Sequence, residues 1–121
     1  MRVLVVDDDE DIRALLVLKL TQAGYDTGAA EDGAIALREV AVERPDLVIF
    51  DLMMPEMSGY DVLRELRSNA ETRELPVLLL SAKSQQGDFE LGFDLGANDY
   101  VVKPFGPKAL IGRVQAILGS P

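Results

Sequence analysis

Three four-residue runs of uniformly apolar side chains constrain the fold of this chain more than any other feature of its sequence. They lie at residues 3–6, 47–50 and 77–80, and each has the length of a short strand. Because such a strand has no polar face, both of its faces must be buried, as in a parallel sheet covered by helices on either side. Two more polar segments, at residues 25–30 and 99–102, predict further strands that suit the edges of the sheet.

Apolar residues at helical spacing follow each predicted strand. The predicted inward-facing residues are Ile12, Leu15, Leu16, Leu20 and Ala23 in the first helix, Ile35, Leu37, Val40 and Ala41 in the second, Val62, Leu63 and Leu66 in the third, and Leu110, Val114 and Ile117 in the fifth, near residues 107–118. We expect Asp32 and Ser58 to cap the second and third helices, and Gly24 to end the first. The fourth helix, near residues 86–95, has a looser pattern.

The repeated order of strand and helix limits the topology. Right-handed crossovers leave few arrangements of five parallel strands, and the two least apolar strands, the second and the fifth, suit the edges. The sequence therefore predicts a doubly wound α/β fold with the strand order 2-1-3-4-5, in which the first strand lies beside the third. In such sheets the ligand site lies at the carboxyl ends of the strands, where the direction of winding reverses.

Length, composition and charge narrow the classes of function. The 121 residues fit one domain spanning positions 1–121, with 119–121 as the end of the domain or the start of a linker. The net charge of −9 argues against direct binding of nucleic acid or of an anionic membrane. Cys and His are absent, which excludes thiol chemistry, zinc sites and a phosphohistidine within this chain. No run reaches transmembrane length and the first is too short for a signal peptide, so we expect a cytoplasmic protein.

Acidic residues occupy two of the strand ends that this topology brings together. Asp7 and Asp8 close the first strand, and Asp51 closes the third. Helix capping explains the acids at positions 9–11, but it explains Asp7 and Asp8 less well because they belong to the strand end. Three neighbouring carboxylates must raise their pKa values, attract a lysine or hold a cation, and oxygen donors suit Mg²⁺ or Mn²⁺. The backbone carbonyl of Met53 is a further candidate ligand.

Ser81 and Lys103 occupy the ends of the fourth and fifth predicted strands. Each has an ordinary interpretation, since a serine at a strand end commonly belongs to a turn and a lone lysine is usually a solvated charge. Beside three acids they form a set suited to phosphoryl transfer, with Asp51 as an oxygen nucleophile. Lys103 and a metal would neutralise the charge of the phosphoryl group, and Ser81 would donate a hydrogen bond to it.

On these motifs the chain resembles the response-regulator receiver family across essentially its whole length. The matching segments are residues 5–8, 51–59, 80–82 and 96–105, which read VVDD, DLMMPEMSG, LSA and GANDYVVKPF. The resemblance implies a flavodoxin-like sandwich of five strand–helix units. It also implies that Asp7 and Asp8 form an acidic metal pair, and that Asp51 is both phosphoacceptor and metal ligand.

The resemblance further implies a two-component signalling switch. Ser81 corresponds to the switch hydroxyl, Tyr100 to the switch aromatic and Lys103 to the lysine of the site. The phosphoryl donor would be a phosphohistidine on a sensor histidine kinase or a phosphotransfer protein. The domain would catalyse its own phosphorylation and dephosphorylation while acting mainly as a regulator. Met53 and Lys83 would flank the site, and because an apolar Met53 cannot orient an attacking water, we expect slow to moderate dephosphorylation.

The resemblance also indicates an output face, formed by the fourth helix, the fifth strand and the fifth helix. A downstream output domain or protein would read this face, or a homodimer would form through it. Asp99 and Arg113 fit one charged pair of the dimer typical of the winged-helix branch of the family. Leu91 and Ala109 stand where that branch typically has a basic and an acidic residue, so the sequence leaves the dimer and its geometry open.

Three alternatives use related chemistry or the same sheet. A flavin or nucleotide binder needs a glycine- or hydroxyl-rich phosphate loop after the first strand, where this chain has an acidic run. A dehalogenase-like phosphatase also uses an Asp nucleophile and Mg²⁺, but it has a second Asp two residues on, where this chain has Met53. A receiver-like interaction module that works without phosphate ranks second to the phosphoryl-accepting switch.

Overall fold

Five parallel strands alternate with five helices along the chain. The computed structural model describes residues 1–54, 56–82, 86–103 and 105–119, with their side chains except at positions 82 and 86–89. The elements are β1 (Arg2–Val6), α1 (Glu10–Gln22), β2 (Asp26–Ala30), α2 (Gly33–Val42), β3 (Leu47–Asp51), α3 (Gly59–Ser68), β4 (Val77–Ala82), α4 (Gln86–Asp94), β5 (Asp99–Lys103) and α5 (Pro107–Leu118). The predicted flanking residue Lys83 and the last two residues of the predicted linker lie outside the described residues.

The sheet has the predicted strand order, β2-β1-β3-β4-β5, and every neighbouring pair is parallel. The two most polar strands, β2 and β5, therefore form the edges, as expected. Every residue of the central strand β3 is buried, whereas in β2 only Ala30 is buried. The winding reverses at β1 and β3, which places the predicted site between these two strands.

Alternate residues of the central strands pack into two hydrophobic clusters, one on each face of the sheet. Leu4 and Phe50 belong to the cluster that includes the buried residues of α2 and α3. Val3 and Ile49 belong to the cluster that includes the buried residues of α1 and α5. The burial of both strand faces, predicted from the uniformly apolar runs, is confirmed.

Two residues predicted to face inward are exposed instead. Leu15 is 39% exposed, whereas its neighbour Leu16 is fully buried. Successive helical residues point about 100° apart, so a helix that turns Leu16 toward the sheet leaves Leu15 outside the buried stripe. Ala41 is exposed on α2 for the same reason, because its neighbour Val40 faces the core. The other predicted inward residues are buried or half-buried.

The predicted helix ends are confirmed. The Asp32 carboxylate accepts a hydrogen bond from the backbone N–H of Ile35, and Ser58 forms a capping box with Asp61 at the start of α3. Gly24 follows the end of α1 with a φ of 100°, a conformation that glycine adopts without strain. Within the described ranges, no helix combines the length and the apolar composition needed to cross a bilayer.

Candidate functional site

The predicted site residues lie at the carboxyl edge of the sheet. Asp7 directly follows β1, Asp51 ends β3, Ser81 lies near the end of β4 and Lys103 ends β5. Because parallel strands all run in the same direction, these positions share one edge. Strands β1 and β3 are adjacent and in register, so Asp7 and Asp51 occupy equivalent positions on neighbouring strands. The topology alone therefore brings residues far apart in the chain into one site.

Three carboxylates form the acidic part of this edge. One carboxylate oxygen from each of Asp7, Asp8 and Asp51 lies within 4.8 Å of the other two. Asp7 is fully buried, Asp51 is 7% exposed, and Asp8 faces solvent. Two carboxylates about 4 Å apart repel by about 4 kcal/mol at an effective dielectric constant of about 20. The cluster therefore requires positive charge, and its all-oxygen donor set fits a hard divalent cation.

Lys103 supplies positive charge to this cluster. Its Nζ donates hydrogen bonds of 2.7 Å to Oδ2 of Asp51 and 3.0 Å to Oδ2 of Asp7. Burial lowers the pKa of Lys103, but the hydrogen bonds and charges of the two aspartates outweigh it, so the pKa is raised overall. Lys103 is thus held as an ammonium that bridges the two buried carboxylates.

Asp7 is the most buried acid of the cluster. Burial raises its pKa, although the backbone N–H of Asp9 and the ammonium of Lys103 both stabilise its charged form. The Asp9 N–H donates to Asp7 Oδ1 over 2.9 Å, while the Asp9 side chain caps α1 through the N–H groups of Asp11 and Ile12. The predicted capping role of Asp9 is confirmed, and its backbone also holds the buried acid.

The Asp51 carboxylate is oriented through both of its oxygens. Oδ2 accepts the hydrogen bond from Lys103, and Oδ1 accepts a 3.0 Å hydrogen bond from the backbone N–H of Met53. The Met53 side chain is 60% exposed. The loop after β3 therefore lies against Asp51, with the apolar Met53 side chain directed toward solvent at the rim of the site.

Ser81 lies on β4 and Tyr100 on β5, the two strands on the side of β3 that is opposite to β1. Ser81 is fully buried in β4. Tyr100 is half-buried in β5, and its ring meets the Phe93 ring edge-on, with centroids 5.5 Å apart and planes at 71°. Phe93, the residue before the last of α4, was not predicted as part of this region, although it lies only a few residues before β5 in the chain. Phe93 is 43% exposed and covers one side of Tyr100.

The predicted output residues belong to α4 (Leu91), β5 (Asp99) and α5 (Ala109 and Arg113). Arg113 donates to the Asp99 carboxylate, with a shortest N···O distance of 3.0 Å, so these two residues pair within one chain. Leu91 and Ala109 are both exposed, and on α4 the exposed Leu91 and Phe93 stand beside the exposed acids Glu90 and Asp94. The face is therefore part charged and part apolar.

Gly59 and Arg13 contact the backbone of site residues, and the sequence motifs predicted neither contact. A Cβ on Gly59, the first residue of α3, would lie 2.7 Å from the Asp51 carbonyl oxygen and 2.8 Å from the Leu52 Cα. Arg13 donates a hydrogen bond to the Asp7 carbonyl oxygen. Gly59 is the last residue of the DLMMPEMSG segment, so the sequence placed it in a family motif. Its close approach to the Asp51 and Leu52 backbone could not be predicted from that motif. Neither contact follows from sequence spacing.

Raising the pH is expected to remove the stability that the Lys103 ion pairs contribute. The folded-state pKa of Lys103 is raised above its unfolded value near 10.5, so this contribution is fully present below pH 10.5. It is lost as the pH rises through the raised pKa. Urea unfolding followed by circular dichroism at several alkaline pH values measures the loss, which Lys103→Met should lack.

Comparing the wild type with Lys103→Met separates the effect of Lys103 titration from the effects of other groups that titrate at alkaline pH. Burial raises the pKa of Tyr25, for example, and this tyrosine is present in both proteins. A wild-type loss of stability no larger than that of Lys103→Met would contradict the expectation.

An aspartate held between an acidic pair and a lysine, at the switch point of a doubly wound sheet, is the arrangement expected of a domain that accepts a phosphoryl group. The family model for the response regulator receiver domain matches residues 3–115. The chain therefore belongs to the response regulator receiver domain family, and it is a phosphoryl-accepting switch of two-component signalling. The family predicted from the sequence motifs is confirmed.

Individual proteins agree with this assignment. The chain is 44% identical over 117 residues to the alkaline phosphatase synthesis transcriptional regulatory protein PhoP of Bacillus subtilis, covering 97% of this chain and 48% of that protein. It spans about half the length of the curated relatives it matches. A putative response regulator from Chloroflexus aurantiacus superposes with a TM-score of 0.92 and 38% identity, covering 97% of this chain and 96% of that one.

One structural neighbour carries a metal. The receiver domain of sensor histidine kinase PA1611 from Pseudomonas aeruginosa superposes with a TM-score of 0.88 and 32% identity, covering 98% of each chain. That structure has a magnesium ion coordinated in its active-site cleft. In the present chain, the acidic cluster of Asp7, Asp8 and Asp51 offers oxygen donors of the kind that magnesium prefers.

Proposed function

We propose that Asp51 is the phosphoryl acceptor of this receiver domain, and that Lys103 neutralises charge on the group it receives. The observation that carries the proposal is the bridge from Lys103 Nζ to Asp51 and Asp7 at the carboxyl edge of the sheet. An ammonium in this position is already in contact with the carboxylate that would react. Phosphoryl transfer depends mainly on such positioning and charge stabilisation.

The donor in this proposal is a phosphohistidine of a sensor histidine kinase or a phosphotransfer protein. An oxygen of the Asp51 carboxylate forms the new bond to phosphorus while the P–N bond of the donor breaks. The electron pair of that bond returns to the imidazole. The hydrogen bonds from Lys103 and from the Met53 N–H orient the Asp51 carboxylate for this reaction. The hydroxyl of Ser81 would donate to an oxygen of the transferred group.

Asp7, Asp8 and Asp51, with the Met53 backbone carbonyl, are the residues that would hold Mg²⁺, and Mn²⁺ would suit the same donors. Their chemistry supports this assignment, because the three carboxylates are close together and offer only oxygen ligands. When bound, the cation supplies neutralisation of the phosphoryl charge. Asp8 is the exposed member of the cluster and thus the most accessible ligand.

Phosphorylation would change the output face through Ser81 and Tyr100. The new group adds up to about two negative charges at Asp51. Ser81 would move toward this group, and Tyr100 would turn inward and break its edge contact with Phe93. The face around Leu91, Asp99, Ala109 and Arg113 would then change its affinity for an output domain, a protein partner or a second copy of the chain. Met53 and Lys83 would flank the phosphorylated site.

Asp51→Asn is expected to abolish phosphoryl uptake. The amide lacks the nucleophilic carboxylate oxygen but keeps nearly the same shape, so the fold should persist. The test incubates the wild type and the variant with Mg²⁺ and acetyl phosphate and records intact mass. We expect the wild type to gain one phosphoryl group, and we expect the gain to disappear in the variant and in the presence of a chelator.

Two results would contradict the proposal. A mass gain of the same size in folded Asp51→Asn would place the acceptor elsewhere. A folded wild type that gains no phosphoryl group from acetyl phosphate or from a sensor-kinase phosphohistidine would favour the phosphate-independent interaction module.

A further inference from the structure

Arg13 contacts the backbone of the acidic pair from the first turn of α1. Its Nη1 donates a 2.7 Å hydrogen bond to the carbonyl oxygen of Asp7, and its side chain is half-buried. Acids occupy positions 7–11 around it. Even so, Arg13 forms no ion pair with any residue in the described part of the chain. The guanidinium therefore binds a backbone carbonyl in a region rich in carboxylates.

The carbonyl that Arg13 holds belongs to the peptide unit joining Asp7 to Asp8. The Asp7 side chain is fixed separately, by the Asp9 N–H and by Lys103. Among the described residues, none forms a hydrogen bond or ion pair with the exposed Asp8 carboxylate. The direction of the Asp8 side chain is thus set by its own backbone, and Arg13 is the side chain that anchors that backbone.

We infer that Arg13 is a positioning residue for the cation site, holding the Asp7–Asp8 peptide so that Asp8 points into the acidic cluster. The inference rests on the proposed function, in which Asp8 is a ligand. Arg13 cannot itself bind a cation, because a guanidinium is positively charged and has no acceptor atom. Residues that orient metal ligands without touching the metal commonly change affinity by about 10- to 100-fold when replaced.

The sign of the effect distinguishes positioning from simple charge. Arg13 places a positive charge near the cluster, so its charge alone opposes cation binding. If charge were its only influence, Arg13→Gln would bind Mg²⁺ more tightly. If Arg13 anchors the peptide before Asp8, the same change should weaken Mg²⁺ binding despite the more favourable charge.

The experiment is a Mg²⁺ titration of the metal-free protein, followed by backbone amide NMR shifts, with no phosphodonor present. We expect Arg13→Gln to bind Mg²⁺ about 10-fold more weakly than the wild type. Arg38→Gln removes the same charge from an exposed position on α2 and serves as the matched control, with unchanged affinity expected. Affinity in Arg13→Gln that equals or exceeds that of the wild type would overturn the inference.

The wild-type titration separates this inference from the proposed function. If the wild type binds no Mg²⁺, the metal part of the proposed function fails and the role of Arg13 fails with it. If the wild type binds and only the Arg13 prediction fails, the proposed function stands. Urea unfolding checks that each variant is folded, and Arg13→Met, which retains much of the aliphatic stem, replaces Arg13→Gln if the latter does not fold. The same criterion then applies.

Discussion

Lys103→Met is expected to slow phosphoryl uptake by Asp51 by about 100-fold or more. Lys103 Nζ lies 2.7 Å from Asp51 Oδ2, and no other cation among the described residues contacts this carboxylate. Methionine keeps an unbranched apolar stem but removes the ammonium. The transferring phosphoryl group would then meet the negative charges of the cluster without this compensation. The rate is measured by quenching reactions with acetyl phosphate and saturating Mg²⁺ at increasing times and recording intact mass.

The matched control for this variant is Lys108→Met. Lys108 is an exposed residue of α5, so its replacement makes the same change in net charge away from the acidic cluster. We expect its uptake rate to stay close to that of the wild type. Equal rates in Lys103→Met and Lys108→Met would show that proximity of Lys103 to Asp51 is not what promotes transfer, and would remove Lys103 from the proposed mechanism.

Gly59→Ala is expected to destabilise the fold by about 3 kcal/mol, at the upper end of typical overpacking effects. The new Cβ would lie 2.7 Å from the Asp51 carbonyl oxygen and 2.8 Å from the Leu52 Cα. Both are backbone atoms, so the clash cannot be relieved by rotating a side chain. Either α3 moves outward or the end of β3 shifts, and the second response displaces Asp51. A misplacement of about 1 Å can reduce a reaction rate about 100-fold, so uptake should fall as well.

Gly112→Ala provides the opposite expectation within the same protein. Apart from its two chain neighbours and the backbone of its own helix, no atom that the structure describes would lie within 4 Å of a Cβ on Gly112, in the interior of α5. Alanine at such a position stabilises a helix by about 0.5–1 kcal/mol relative to glycine. Urea unfolding followed by far-UV circular dichroism compares both variants with the wild type. Loss of stability in Gly112→Ala, or none in Gly59→Ala, would contradict the packing described here.

The fold was predictable because its main determinants are local. The apolar runs at residues 3–6, 47–50 and 77–80 define buried parallel strands, since a strand without a polar face has to be covered on both sides. The capping residues Asp32 and Ser58 were also predictable, because a cap contacts backbone N–H groups only a few residues away. The misassigned Leu15 shows the limit, since two adjacent leucines cannot both face the sheet and the packing selects Leu16.

The juxtaposition of Asp7, Asp51 and Lys103 could likewise be predicted from strand order. Each directly follows or ends a strand, and all parallel strands of one sheet present their carboxyl ends on the same edge. The sequence could not predict which oxygens Lys103 contacts. That choice depends on side-chain directions and burial, which exist only once the strands are packed. The raised pKa of Asp7 has the same origin, because burial is its largest cause.

The sequence by itself therefore determined the parallel sheet, the strand order and the acidic edge with its lysine, because periodicity and strand ends are properties of short segments. Only the tertiary structure decided that Arg13 anchors the Asp7 carbonyl, that α3 begins against the backbone of Asp51 and that Phe93 covers Tyr100. The first of these contacts crosses from a helix to a strand end, the second closes a loop onto a strand, and the third joins α4 to β5. Their geometry is set by how the layers pack, and a pattern along the chain does not contain that information.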